Sequence, residues 1–387
     1  MKTGEIGKMK VGILTFHNAH NYGATLQAYA LKTCVQQLGY EVEIINYRNK
    51  AIEESYPQKL YPKFTRKELN PRRWKQFIYD TVRGIYGQKQ WQEQWRSFDD
   101  FISQILLEGK SELIGEKDFE GLNKDIYLLG SDQIWSSFLT GIPDPVYFGA
   151  FRTKEKIISY AASLANGKVE EKEENIFKNL LENVDVISVR EEKLAKQLEM
   201  ITGRNVTTTI DPTLLLEAKD YENILARIED EKKRKLLERT QKKYIFAYFV
   251  VEEQPVADCA KKLAELTGLE IIELHYYHMP ECSRDNQYAD MGPSEFLFFI
   301  KHAEYVVTNS FHGTVFSVLY QRQFYSVYKK NGRVDNLLDF LDISNRHISH
   351  EEDVVTDHVI EYDEVHRRLQ EYKQKSIKFL RDNLAEE

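Results

Sequence analysis

The strongest chemical signal in the sequence is Thr308-Asn309-Ser310-Phe311-His312-Gly313-Thr314, a polar loop between an apolar run of strand length and one of helix length. A histidine at such a strand end can serve as general acid or base near neutral pH. A histidine satisfied inside the protein is the plainer alternative. Ser188-Val189-Arg190-Glu191 closes a second apolar run. A planar guanidinium there suits a carboxylate or phosphate, unless it only pairs with Glu191 at a helix start. Gly130-Ser131-Asp132-Gln133-Ile134-Trp135 follows a third run. Its hydroxyl, carboxylate, amide and indole can hold a polyol by hydrogen bonds and stacking; otherwise Asp132 is a helix cap. His17-Asn18-Ala19-His20-Asn21-Tyr22-Gly23 leads into a helix start, where Gly23 permits close backbone approach by an anion or a sugar hydroxyl. A plain strand-to-helix turn would look the same, and the GxGxxG fingerprint of a dinucleotide site is missing. Asp211-Pro212-Thr213 reads as structural, a capping turn. His275, His278 and Cys282 offer no fourth ligand, so no metal is expected there.

These loops need elements to position them, and the pattern supplies strands alternating with helices. Val11 to Phe16 is a buried-type strand, Ala24 to Leu38 has helical spacing closed by Gly39, and Glu41 to Tyr47 is the next strand. Such a βαβ unit has a right-handed crossover. Strand-length runs recur at 125–129, 156–160, 184–189 and 206–210, and again at 244–251, 269–274, 305–308 and 323–328, with helices near 257–266, 294–302 and 313–320. The fold class expected is α/β, two Rossmann-like domains with mostly parallel sheets facing across a cleft. Residues 1–228 form the first domain, interrupted near 48–120 by amphipathic helices in which arginine and lysine alternate with Trp74, Phe77, Tyr79, Tyr86, Trp91 and Trp95. The charged stretch 229–243 is the seam, and 244–387 is the second domain with a closing helix from about Tyr362 to Leu384.

Composition narrows the function. Apolar residues make up 42% and charged residues 29%, enough for two cores and too ordered a mixture for a disordered chain. The 53 basic against 61 acidic residues leave a net charge of −8, which argues against nucleic acid as the main partner. No stretch of eighteen apolar residues is present, so no span of a bilayer is expected. The N-terminus reads straight into a patterned strand rather than as a signal peptide. Cys34, Cys259 and Cys282 form no pairing framework, which suits a reducing cytoplasm. The basic, aromatic stretch 72–96 can touch a membrane surface or a lipid-linked acceptor, although a solvated helix with an ordinary core side is the simpler reading.

Taken in order, HNAHNYGATLQAYAL, GSDQIW, YAASLA, SVREE, DPTLLL and GPSEFLFFIKHAEYVVTNSFHGTVFSVL resemble the polysaccharide pyruvyl transferase family, over roughly Lys10 to the Arg333 region. The resemblance implies a two-domain fold similar to GT-B glycosyltransferases. It also implies transfer of pyruvate from phosphoenolpyruvate onto two hydroxyls of a sugar or lipid-linked glycan as a cyclic ketal, with no separate cofactor. By the same resemblance, His312 is the acid/base or phosphate contact and Arg190 the anion clamp. Asn21 and Gly23 line the cleft, and Asp132, with Ser131 and Gln133, orients acceptor hydroxyls. Ser310, Gly313 and Thr314 on the histidine loop bind substrate, and Arg333 is a second cation. Some family members carry an arginine where this chain has Ser310, and an acidic residue in the first loop where it has His17, Asn18, His20 and Asn21. Two other functions fit the same pattern: glycosyl transfer from a nucleotide sugar, and non-catalytic glycan binding or assembly.

Overall fold

The structure is a computed structural model that describes residues 8–56, 58–59, 71–110, 112–115, 118–151, 154–250, 254–274, 287–328 and 332–385. The segment with His275, His278 and Cys282 lies outside the described residues. The chain forms two compact units, one of residues 1–55, 102–217 and 366–387, the other of 56–101 and 218–365.

In the first unit, β1 (Lys10–Leu14), β2 (Glu41–Ile44), β3 (Ile126–Leu129) and β4 (Lys156–Ser159) form a parallel sheet in the order β2-β1-β3-β4. A parallel pair, β5 (Ile187–Val189) and β6 (Val206–Thr208), continues it through bridges from Ile158 to Val186 and from Ala162 to Val189. Each residue of β3 is buried, as expected for a strand covered on both faces. The order reverses between β1 and β3. That makes a topological switch point, where a crevice opens at the carboxyl ends of the strands.

The second unit carries β7 (Tyr244–Tyr248), β8 (Glu270–Leu274), β9 (Gln287–Tyr288), β10 (Tyr305–Thr308), β11 (Gln323–Val327) and β12 (His347–Ile348), all parallel in the order β12-β11-β10-β7-β8-β9. Its switch point lies between β7 and β10. One side of the sheet packs Ile245, Ala247, Val307 and Tyr325 against Val256, Cys259 and Leu263 of the helix Gln254–Thr267.

The expected elements are present with ends shifted by a few residues, but the unit boundaries differ from the expected 1–228, 229–243 and 244–387. The first unit's core segment ends at Glu217, and the charged seam is a helix, Asp230–Arg239, within the second unit. The insert yields one long helix, Pro71–Phe101, that belongs to the second unit. It lies so close to the start of the helix Pro293–His302 that a Cβ on Gly292 would sit 2.6 Å from the Ser97 Cβ. The closing helix Tyr362–Leu384 ends on the first unit: Ser376 Oγ accepts from the Ile210 amide at 3.0 Å, and the Phe379 ring lies 6.3 Å from Tyr160. Among the described residues, no helix is long and apolar enough to cross a membrane.

The closest backbone approach in the first unit is at Gly130, where φ is +118° and a Cβ would stand 2.4 Å from the Tyr160 carbonyl oxygen. Gly39 has a comparable φ of +104° but open space around it. Gly39→Ala therefore costs only the backbone penalty, about 1 kcal/mol, whereas Gly130→Ala must also push β3 and β4 apart and costs roughly 3 kcal/mol or more. Urea denaturation of the two variants measures the gap; equal losses would contradict this account of the β3–β4 junction.

Candidate functional site

At the switch point of the first unit, the loops after β1 and β3 are joined by hydrogen bonds. Thr15 Oγ1 donates to the Ser131 carbonyl at 3.1 Å and accepts from Gln27 Nε2 at 2.8 Å. Asn21 caps the helix Tyr22–Gln37, its side chain accepting from the Ala24 amide at 3.2 Å, and Gly23 is buried in the first turn. His17 points inward: its ring contacts the Thr15 carbonyl at 3.2 Å and Asn46 Oδ1 at 3.1 Å, and burial pushes its pKa down. His20 is buried as well.

Ser131 is fully buried, donating to the Ala161 carbonyl at 3.0 Å and accepting from Arg190 Nη2 at 2.7 Å. Asp132 follows with φ +72°, while Ala161 on the adjacent loop has φ +46°. Left-handed backbone at two neighbouring strand ends is strain that a functional loop can carry. Asp132 and Gln133 are half-buried, and the Asp132 carboxylate makes no hydrogen bond among the described residues. Trp135 is not a sugar platform: it is fully buried, stacked 5.1 Å from Phe148, with its indole N–H donated to the Tyr147 carbonyl.

Arg190 also departs from the anion clamp expected of it. Its guanidinium is buried and lies 2.8 Å from Asp211 Oδ2, whose other oxygen caps the turn Pro212–Leu215 through the Thr213 amide at 2.9 Å. Glu191, the other partner expected for Arg190, accepts from Ser163 Oγ at 2.6 Å. Burial works to lower the Arg190 pKa, but Asp211, then Asp132 and Glu191, outweigh it and raise it, so the cation is held by carboxylates. A guanidinium already facing three acids is poorly placed to attract an anion. It ties the ends of β3 and β5 to the exit of β6.

In the second unit, the loop after β10 lies at the switch point, and Asn309 Oδ1 accepts from the Val250 amide beyond β7 at 2.8 Å. Ser310 caps the helix Phe311–Leu319, accepting from the Gly313 amide at 3.1 Å. Gly313 has no room for a side chain, since a Cβ would meet Thr308 Oγ1 at 2.7 Å. Thr314 is fully buried, donating to the Ser310 carbonyl at 3.0 Å. His312 stands on the first turn, at the positive end of the helix dipole, with its ring 5.1 Å from Phe311. Half-buried Arg333 lies over the Phe311 ring at 5.9 Å. His312 and Arg333 thus meet at one aromatic side chain, while Arg190 belongs to the other unit.

Several contributors escaped the sequence reading. Gln27 and Thr15 steady the Ser131 loop from below, and only the spacing of Gln27 on a buried helix face hints at it. Asp335 and His347 hold the carboxyl end of β11: His347 Nδ1 is 3.2 Å from Asp335 Oδ1, and its other nitrogen is 2.8 Å from the Tyr328 carbonyl. Among the described residues no cluster of three or more metal-ligating side chains occurs.

A family model described as polysaccharide pyruvyl transferase matches residues 21–331, which takes in Asn21, Gly23, the Gly130–Trp135 loop, Arg190 and the His312 loop and stops two residues before Arg333. No curated protein sequence matches the chain. Among solved structures, UDP-GlcNAc 2-epimerase from Methanocaldococcus jannaschii is similar at 11% identity, covering 97% of this chain and 100% of that one with a TM-score of 0.50. The S. aureus MnaA–UDP co-structure is similar at 12% identity, with 96% and 91% covered and a TM-score of 0.48. The likeness to the epimerase shows the fold alone, two Rossmann-like domains of GT-B type.

The Arg190–Asp211 pair has a distinctive energetic signature. Asp211→Ala leaves a buried cation uncompensated and costs about 3–5 kcal/mol, while Arg190→Met combined with Asp211→Leu costs much less than the two single changes together. Chemical denaturation of the three variants reads this coupling, and additive losses would contradict the pairing.

Proposed function

This chain belongs to the polysaccharide pyruvyl transferase family, and on that premise we propose that it is a transferase moving pyruvate from phosphoenolpyruvate onto two hydroxyls of a sugar, as a cyclic ketal, in surface-glycan synthesis. The observation that carries the reading is positional. Two loops that bear the resemblance lie at switch points: the Gly130–Gln133 loop beside β1 in one unit, and the Asn309–Thr314 loop beside β7 in the other.

The residues suit the steps required. The enol carbon C3 of the donor takes a proton, which makes C2 electrophilic. A first hydroxyl oxygen bonds to C2 and releases its proton to a base. The C2–O bond to phosphate then breaks, inorganic phosphate leaves with that electron pair, and the second hydroxyl oxygen bonds to C2 and gives up its proton to the departing phosphate, closing the ketal. His312 is assigned the proton delivered to C3. Arg333 and the helix start beneath His312 are assigned the donor's negative charge. Asp132, half-buried, is assigned to orient an acceptor hydroxyl. Arg190 is a positioning residue that holds Ser131, and so the Asp132 turn, through Asp211. The donor brings its own leaving group, and the reading calls on no cofactor.

Phosphate release from phosphoenolpyruvate, followed with and without a sugar acceptor, tests the reading. The wild type is expected to release phosphate only with acceptor, and folded His312→Ala to lose about a hundredfold or more of that rate. Undiminished release by the variant, or release without acceptor, would contradict it. Stabilisation against heat by UDP with none by phosphoenolpyruvate would favour glycosyl transfer from a nucleotide sugar instead.

A further inference from the structure

The helix Pro71–Phe101 exposes its apolar side chains unevenly along its length. In its first half Trp74, Ile78, Tyr79, Val82, Ile85 and Tyr86 are 53, 56, 54, 48, 58 and 85% exposed. At about 100° per residue these six share one arc of about 140°, roughly 18 Å long at 1.5 Å per residue. In its second half Trp91, Phe98 and Phe101 are buried, and the exposed positions are polar: Gln92, Arg96, Asp99 and Asp100. One helix therefore contains both an ordinary amphipathic half and a half with an apolar face turned to solvent. Exposed apolar residues elsewhere, such as Phe138 and Met200, do not form so long a run on one helix face, and single exposed apolar residues are normal for a protein surface.

The charge of this half names its partner. Residues 71–89 hold Arg72, Arg73, Lys75, Arg83 and Lys89 against a single acid, Asp80, which is five minus one, or +4, in a chain whose net charge is −8. Lys75 and Lys89 are exposed. Tryptophan and tyrosine beside aliphatic and basic residues is the composition of a helix lying in the headgroup layer of an anionic bilayer. A second copy of this chain is the weaker match, because two segments of +4 would oppose each other. We propose that the protein docks peripherally on anionic membrane through the face formed by Trp74, Ile78, Tyr79, Val82, Ile85 and Tyr86. This docking stands independently of the donor chemistry, since it is read by binding and not by activity.

The test is flotation of the full-length protein with vesicles of phosphatidylcholine alone or with about a third phosphatidylglycerol. The protein is expected to float with the anionic vesicles and to be released by salt. Binding should fall at least about tenfold in the triple variant Ile78→Ser, Ile85→Ser, Tyr86→Ser, and stay unchanged in the control Phe138→Ser, Met200→Ser. Unchanged melting temperatures show that both variants fold. No flotation of the wild type, or equal flotation of the triple variant, would overturn the proposal. So would sedimentation showing a dimer that the triple variant dissociates, because a second copy would then cover the face.

Discussion

A guanidinium taken out of water must be answered by charge and hydrogen bonds, and that requirement organises the carboxyl end of the first sheet. Arg190 reaches Ser131 after β3 and Asp211 after β6, while Asp211 also fixes the turn that follows it. Ser131 in turn carries Thr15 and Gln27 from the β1 side through its carbonyl. Three strand ends thereby hold the backbone at Asp132 in a conformation that its side chain would rarely choose alone. An interaction of this kind is weak as a net source of stability, yet removing either partner is costly, so it acts as a registry device.

The two units solve the same topological problem with different materials. The switch point of the first is closed by buried polar contacts, and its half-buried groups are Asp132 and Gln133. That of the second is built on a helix start, with Ser310 spent on the cap and Gly313 and Thr314 on close packing against Thr308 and Ser326. His312 stands on the first turn of that helix and Arg333 lies over the neighbouring Phe311 ring.

Much of this was legible in the sequence. Buried parallel strands are written as short apolar runs, so Tyr305–Thr308 coincides with its expected span, and the helix end marked by Gly39 follows from capping chemistry. The loops that matter were visible because ligands in open parallel sheets gather beyond strand ends. Partners were not visible. The meeting of Arg190 with Asp211 joins the ends of two adjacent strands, and only the pairing of β5 with β6 brings it about. Trp135 read as a stacking platform, since only the third dimension brings Phe148 against it. The unit boundaries were misplaced for a similar reason: the long helix and the closing helix each pack away from their neighbours in sequence, guided by contacts such as Gly292 with Ser97 and Ile210 with Ser376.

The proposal rests on Arg190 being paired with Asp211 and on Arg333 as the cation for an anionic donor. Calorimetric titration of phosphoenolpyruvate into the wild type and into Arg333→Gln tests it most directly. The account predicts that the variant, with its fold intact, binds about tenfold to a hundredfold more weakly, the loss expected when one charged hydrogen bond is removed. Equal affinity in the two proteins would contradict it.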